Sequence, residues 1–310
     1  MAAVLLLAPC TDDRSAISEA RSGPAVSSSA TAWTRIADAP DPARQEVAVA
    51  AMSNLAYVVG GLIGGGATDE VVVYDATLNA WLSVSPLPLE IHHSMAAPLG
   101  KNLVVIGGIR ADGSASDRVF ILEGATWREG PKLRRPRGAG AAVTIGDRIV
   151  VTGGVDRGSH VGPVEIFDGA SWRDGAPIPS LRDHVGAATD GKLVYVAGGR
   201  RAGGHFATFE AYDPAADSWA RLPDMPTARS GLGAAFVSGK IVTAGGEGPR
   251  MFPEVEAYDI AERRWTRLPD LAVPVHGVGL VAVGSNLYAL VGGIEVGLAP
   301  SRVSQVLAVR

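Results

Sequence analysis

The sequence predicts an all-β chain, a six-bladed β-propeller of four-stranded antiparallel blades, its ring closed by the N-terminal strand around Trp33 joining the last blade. Three observations predict it. A short apolar run ending in two glycines occurs at Gly60-Gly61, Gly107-Gly108, Gly153-Gly154, Gly198-Gly199, Gly245-Gly246 and Gly292-Gly293, in steps of 47, 46, 45, 47 and 47. A fixed period of this size marks stacked repeat units. Each unit holds short runs rich in Val, Ile, Tyr and Phe, bounded by Gly, Pro, Asp and Asn, which is strand grammar. No stretch sustains an apolar period of about 3.6, so helix content should be close to nil.

In chain order, residues 1–30 stand apart from the repeats. An apolar run, Ala2 to Pro9, precedes Cys10, and a tract rich in Ser, Ala, Gly and charge follows. Leu7-Ala8-Pro9-Cys10 resembles a bacterial lipoprotein signal, in which the cysteine becomes the lipidated first residue. Pro9 departs from the small residue usual there, and no Lys or Arg precedes the run. The expectation is an export signal, lipidation at Cys10 and a disordered tether over 11–30, with a frayed apolar terminus as the alternative. Localisation is accordingly read as extracytoplasmic (periplasmic, cell-surface or secreted), with a possible membrane tether through Cys10, against the alternative of the cytoplasm. Cys10 is the only cysteine, so no disulfide forms within one chain.

Residues 31–310 read as a single propeller domain, monomeric. Each unit opens on a tryptophan: Trp33, Trp81, Trp127, Trp172, Trp219 and Trp265. A Pro-containing turn follows, then a small-residue apolar run, then the run that ends in Gly-Gly. A polar loop of variable sequence leads to VVVYD (71–75), VFILE (119–123), VEIFD (164–168), FEAYD (209–213) or VEAYD (255–259). Four short strands in about 46 residues match one propeller blade. The glycines serve where crowded backbones leave no room for Cβ. The tryptophan is expected to pack between neighbouring blades, and the Tyr or Phe before the acidic residue to do the same further in.

Gly-Gly after an apolar strand, then Tyr-Asp, then Trp, resembles the kelch repeat, over residues 33–310. Two departures stand out. The second unit has Leu122-Glu123 for Tyr-Asp, and the sixth has no matching Tyr or Trp after Gly293. Only five tryptophans follow a glycine pair, while Trp33 precedes the first. The natural closure therefore pairs Thr31–Ile36 with a last strand near Val303–Val309, which removes an exposed edge.

Counting back 16 residues from each first glycine gives Arg44, Ile91, Arg137, Arg182, Arg229 and His276. Equivalent positions in a propeller form a ring, and arginine there offers planar donors matched to carboxylates or phosphates. One reading is an anion-binding mouth with Arg44, Arg137, Arg182, Arg229 and His276 as anchors. The other is that these arginines bond carbonyls of the adjacent blade and fix blade spacing. Two residues on stand Glu46, His93, Ala139, His184, Gly231 and Val278; residues two apart on a strand share a face, so Glu46, His93 and His184 are expected to project toward one mouth. The loops after Gly-Gly, such as Asp156-Arg157-Gly158-Ser159-His160 and Arg200-Arg201, differ from blade to blade. Differences on a repeating frame are where specificity is expected to reside, with plain solvated polar loops as the alternative.

No metal or other cofactor is expected. His92-His93 is an adjacent pair whose side chains are expected to point to opposite faces of a strand and not to share a metal, and His93, His184 and His276 come from different units that converge only at the channel mouth. The cross-linked Tyr-Cys chemistry of kelch-type copper oxidases lacks its cysteine in the propeller. A Gly-x-Ser-x-Gly motif is absent, and the Gly-rich stretches 60–66 and 198–204 open no helix that would cradle phosphate. The formal charge of -4 without a basic run gives no bulk attraction to nucleic acid. No apolar run approaches the roughly 18 residues of a membrane span.

Two functions follow as expectations. The first is a non-enzymatic interaction module that takes a protein, an acidic small molecule or a glycan at the Arg-lined mouth. The resemblance implies as much, since kelch proteins generally recognise partners through loops around one mouth. The second is an enzyme acting on an acidic sugar, a mutarotase or epimerase by analogy with bacterial kelch proteins that interconvert sialic acid anomers. In that reading arginines clamp the carboxylate and Glu46, His93 or His184 moves the proton.

Overall fold

The computed structural model describes residues 18–22 and 32–309. Six antiparallel sheets, each built on four strands, surround a central channel as the blades of a propeller, and no α-helix occurs among the described residues. The innermost strands are Ala48–Met52, Met95–Leu99, Gly138–Ile145, Gly186–Thr189, Gly233–Val237 and Gly279–Val283. They define blades 1 to 6.

Blade 5 shows how the sequence builds a unit. Gly233–Val237 runs away from one mouth of the channel and Lys240–Ala244 returns to it, paired antiparallel. Val255–Asp259 and Arg264–Leu268 complete the sheet outward. Asp259 ends its strand because its carboxylate accepts the backbone N–H groups of Ala261 and Glu262, which folds the next turn. Gly245 ends the second strand with φ +67, and a Cβ there would lie 2.3 Å from the carbonyl of Val275 in the next blade. Only glycine fits that approach without strain.

Apolar burial is organised between blades. Six buried clusters occur, one at each blade interface. The tryptophans pin these interfaces, as expected. Each indole N–H donates to a backbone carbonyl of the preceding blade: Trp33 to Pro269, Trp81 to Ala37, Trp127 to Ser85, Trp172 to Pro131, Trp219 to Ala176 and Trp265 to Pro223, at 2.8–3.0 Å. Tyr74, Tyr212 and Tyr258 fill the same interfaces further in.

The ring closes as the tryptophan count requires. Thr34–Arg35 pairs antiparallel with Pro300–Ala308, Thr34 opposite Val306 and Arg35 opposite Gln305. The Ile36 amide continues the ladder to the Ser304 carbonyl at 3.0 Å. Thr31, included in the expected strand, lies outside the described residues. Cys10 and its flanking segment lie outside them too. Within the stretch read as a tether, Ser18–Ser22 pairs with Ala80–Val84 as a fifth strand on the outer edge of blade 1.

One correction concerns register. In blade 6 the glycine pair is displaced by one residue. Val291, at φ +52, occupies the place of the first glycine, and Gly292, at φ +121, the place of the second. The Gly292 amide accordingly donates to the Arg44 carbonyl at 3.0 Å, as the Gly246 amide does to Val275 at 2.8 Å. The ruler slipped because Val291 takes a left-handed conformation that β-branched residues rarely adopt. Complete burial of its side chain in the blade 6–blade 1 cluster offsets that cost. The sixth counterpart of the arginines is therefore Val275, and the sixth counterpart of Glu46 is Gly277 instead of Val278.

Closure through Trp33 sets an expected outcome for its removal. Trp33→Ala should destabilise the domain by about 3–5 kcal/mol, the scale for truncating a buried aromatic. Urea unfolding measures it, and a loss below about 1 kcal/mol would show that the closing strand does not hold the ring.

Candidate functional site

Six residues surround the channel axis at the mouth where the glycine pairs lie: Glu46, His93, Ala139, His184, Gly231 and Gly277. Their backbones form a closed circle. The amide of each donates to the carbonyl of the one before it, and Glu46 donates to Gly277, at 2.7–3.0 Å throughout. All six have φ between +52 and +63. That conformation is free for the two glycines and costly for Glu46, His93 and His184.

The four arginines sit one layer deeper, and the anion-anchor expectation is corrected for them. Arg44, Arg137, Arg182 and Arg229 are 0% exposed. Arg182 donates to Glu210 Oε2 at 2.6 Å and to the carbonyls of Gly198 and Ser180 at 2.7 Å. Arg229 repeats this with Glu256 at 2.6 Å and Gly245 at 2.8 Å. Arg137 reaches Glu165 at 2.6 Å, and Arg44 reaches Glu70 at 2.7 Å. Most of their donors are spent on carboxylates and on carbonyls of their own blades, where the second sequence reading expected carbonyls of the adjacent blade; Arg44 Nη1 and Arg137 Nε are left without a partner. Burial pushes the Arg137 and Arg182 guanidinium pKa values down, and the paired Glu165 and Glu210 oppose that fall.

Sequence reasoning missed the carboxylate partners, although a signal was present. The second residue of VEIFD, FEAYD and VEAYD is Glu165, Glu210 or Glu256 in three of the four blades that carry the arginine. Blade 2 has Ile91 in place of the arginine and Phe120 in place of the glutamate, both buried in one apolar cluster. Blade 6 has Val275 and the neutral Gln305, which bonds the backbone of Val273. Charge and partner change together from blade to blade.

Glu46, His93 and His184 do converge, as expected. His93 Nε2 lies 3.2 Å from Glu46 Oε2 and 3.0 Å from His184 Nε2. His184 Nδ1 is hydrogen-bonded to Asp183 Oδ1, and Asp183 Oδ2 accepts from His160 Nε2 at 2.8 Å. Arg200 extends from its loop to place Nη2 2.9 Å from His184 Nε2 and Nη1 3.1 Å from Glu247 Oε1. His276, 1% exposed, stands beside this set with Nδ1 3.4 Å from Glu46 Oε1 and 3.7 Å from Glu247 Oε2. It joins the cluster by the register shift that removed it from the arginine series.

Burial acts on these groups with opposite outcomes. It pushes the His93 pKa down to about 3, helped by His184, His92 and Arg200, against the pull of Glu46. Burial alone would raise the Glu46 pKa, but the surrounding histidines outweigh it and hold the carboxyl well below the usual range. For His276 burial works downward, yet Glu46 and Glu247 outweigh it and raise the pKa. Burial thus favours the uncharged form of His93, while the Glu46 and Glu247 carboxylates favour the charged form of His276.

The space there is small. Glu46, His93 and His184 line a cavity of about 90 Å³, far below the roughly 300–1,000 Å³ of sites for drug-sized molecules. The four arginines that the enzyme reading assigned to a sugar carboxylate are buried beneath it, and the guanidinium that reaches His184 is that of Arg200. A larger hollow, about 780 Å³, opens on the opposite face between the turns of blades 3 and 4. Of its three acids, Asp190 and Asp213 are committed to the backbone amides of their own turns, and Asp147 is exposed beside Arg148.

Three stretches of the chain, residues 43–88, 181–226 and 228–272, match the family model of the Kelch motif. Kelch-like protein 41b of Danio rerio is 32% identical over 130 residues, 40% of this chain and 21% of that protein. Kelch-like protein 23 of Mus musculus is 30% identical over 128 residues, 40% of this chain and 23% of that protein. An F-box/kelch-repeat protein of Arabidopsis thaliana is 30% identical over 121 residues, 37% of this chain and 32% of that protein. The matched stretches thus span well under half of these relatives' own length. Kelch motifs recur in this propeller, and these eukaryotic relatives add nothing to a bacterial, secreted or lipoprotein character.

The buried Arg–Glu pairs set a second expected outcome. Arg229→Met should destabilise by about 3–5 kcal/mol, because it leaves Glu256 charged and unpaired in the interior. Adding Glu256→Met should recover much of that loss, as the apolar Ile91 and Phe120 of blade 2 imply. Denaturant unfolding of the singles and the double decides it. A double variant no more stable than Arg229→Met would contradict the pairing.

Proposed function

We propose that this chain is a non-enzymatic interaction module that binds a protein partner across the mouth bearing the glycine pairs. The observation that carries the reading is the connection after the glycines of blade 6. Ile294, Val296 and Leu298 are 43%, 54% and 61% exposed, three of five large hydrophobic residues so exposed among the described residues. Exposed apolar side chains grouped on one loop mark an interaction surface more than scattered ones do. The loop is held in place: Gln45 Nε2 donates to the Gly297 carbonyl at 2.8 Å and the Gly297 amide to Glu247 Oε2 at 3.1 Å. A rigid apolar rim loses little freedom on binding.

The other connections at this mouth supply charge. Arg110, Arg157, Arg201 and Arg250 are exposed there, in blades 2 to 5. A partner segment with apolar side chains flanked by carboxylates suits this rim, so the acidic preference passes from the buried arginines to the loops. Kelch motifs, and relatives named for them, support the reading.

Peptide display tests it. Random peptides selected on the intact protein should enrich apolar sequences carrying Asp or Glu. Val296→Asp with Leu298→Asp should abolish their binding, while Leu78→Asp on an outer turn leaves it unchanged. Enriched peptides that bind the double variant as well as the parent would sink the proposal. Export and anchoring through Cys10 belong to the same proposal and rest on Leu7-Ala8-Pro9-Cys10. Intact mass of the mature protein should show a diacylated Cys10 as first residue, and a chain still beginning at Met1 would overturn that part.

A further inference from the structure

We infer that Glu46, His93 and His184 form a binding site for one divalent first-row transition cation at the centre of the mouth, with Zn²⁺ the ion the donor set suits best. The inference does not depend on the partner-binding reading. It rests on donor chemistry, spacing, support and space.

The donors are two imidazoles and one carboxylate, from blades 2, 4 and 1. That is a ligand set used by zinc sites that keep one position open. The three ligand atoms lie within 4.8 Å of one another. Donors on a tetrahedral cation with bonds of about 2.0–2.2 Å stand about 3.3–3.5 Å apart. The distances of 3.0 and 3.2 Å at His93 need only a small outward relaxation to meet that.

The support is of the kind that orients metal ligands. His184 Nδ1 is tied to Asp183, whose second oxygen is held by His160, so His184 presents Nε2 to the axis. A carboxylate behind a ligating imidazole fixes its tautomer and raises its basicity. His93 has an imidazole behind it instead of a carboxylate: its Nδ1 meets His92 Nδ1, the two adjacent rings facing each other where the sequence suggested opposite faces, and its Nε2 turns toward Glu46 and His184.

The cavity beside these atoms measures about 90 Å³, room for an ion and a water or two but not for an organic ligand. Ser94, 6% exposed, lines the same cavity, and its hydroxyl has no protein partner.

Arg200 competes for the site. Its Nη2 lies 2.9 Å from His184 Nε2, the nitrogen a cation would take. The side chain is 36% exposed and also contacts Glu247 at 3.1 Å, so it can leave His184 while keeping a carboxylate partner. Arg200 thus acts as a guanidinium stand-in that a divalent ion displaces, and its removal should favour the ion.

Titration of the chelator-stripped full chain with Zn²⁺, followed by calorimetry, tests this, with Co²⁺ visible absorption as a second probe. One ion per chain is expected, and Arg200→Ala should bind at least as tightly as the parent. His93→Gln with His184→Gln should weaken binding by at least about tenfold, the scale on which even supporting groups of metal sites act. His205→Gln, a control at a half-buried histidine that bonds Ser230 outside the donor set, should change nothing. Glu46→Gln, nearly isosteric, gives a second readout should the histidine double fail to fold, and it too should weaken binding. Binding below one ion per chain in both the parent and Arg200→Ala, or unaltered by Glu46→Gln and the histidine changes, would overturn the site.

Discussion

Six backbone hydrogen bonds run head to tail around the channel axis, from Glu46 through His93, Ala139, His184, Gly231 and Gly277 and back to Glu46. The circle imposes one conformation on all six residues and brings their side chains to a common centre. Blades that contribute glycine leave space, and blades that contribute Glu or His fill it with chemistry. The neighbouring amides are bonded too: those of Gly246 and Gly292 reach across to the carbonyls of Val275 and Arg44. The inner wall of the propeller is therefore a continuous hydrogen-bonded band, and whatever the mouth binds is presented by a frame with little freedom to rearrange.

Around that band, each blade solves the same problem in its own way. The position beneath the mouth is buried, and a charge there is tolerable only with a partner. Blades 3, 4 and 5 use Arg with Glu. Blade 1 keeps its arginine but draws Glu70 from outside the strand. Blade 2 replaces both members with apolar residues, and blade 6 combines Val275 with Gln305, whose amide serves the backbone. The pairs are matched within blades, so repeats can diverge one at a time without leaving a charge unpaired.

The mouth divides into two zones of different physics. At the axis, burial and mutual contact set the protonation of Glu46, His93 and His276, and the space admits only small species. At the rim, the connections between second and third strands carry exposed arginines and the Ile294–Leu298 stretch. The two zones meet at Glu247, which accepts from Arg200 and from the Gly297 amide. A change at the axial cluster can therefore be felt at the apolar loop through a single carboxylate.

The sequence by itself determined the blade count, the strand order within a blade, the role of the tryptophans and the closing strand at Trp33. These follow from period and composition, since each repeat must bury the same faces against its neighbours. It also brought Glu46, His93 and His184 to one mouth, because equivalent positions in a closed ring share an axis. Tertiary structure alone decided which way the arginines turn. A guanidinium can reach a ligand or a carbonyl with equal ease in a sequence, and only burial with Glu165, Glu210 and Glu256 settles it. It alone decided that Val291 occupies a glycine position, because packing in the blade 6–blade 1 interface offsets a strain that local propensity forbids. That one-residue shift moved His276 from the arginine series into the central cluster, where the carboxylates of Glu46 and Glu247 raise its pKa against burial, at distances no spacing rule encodes.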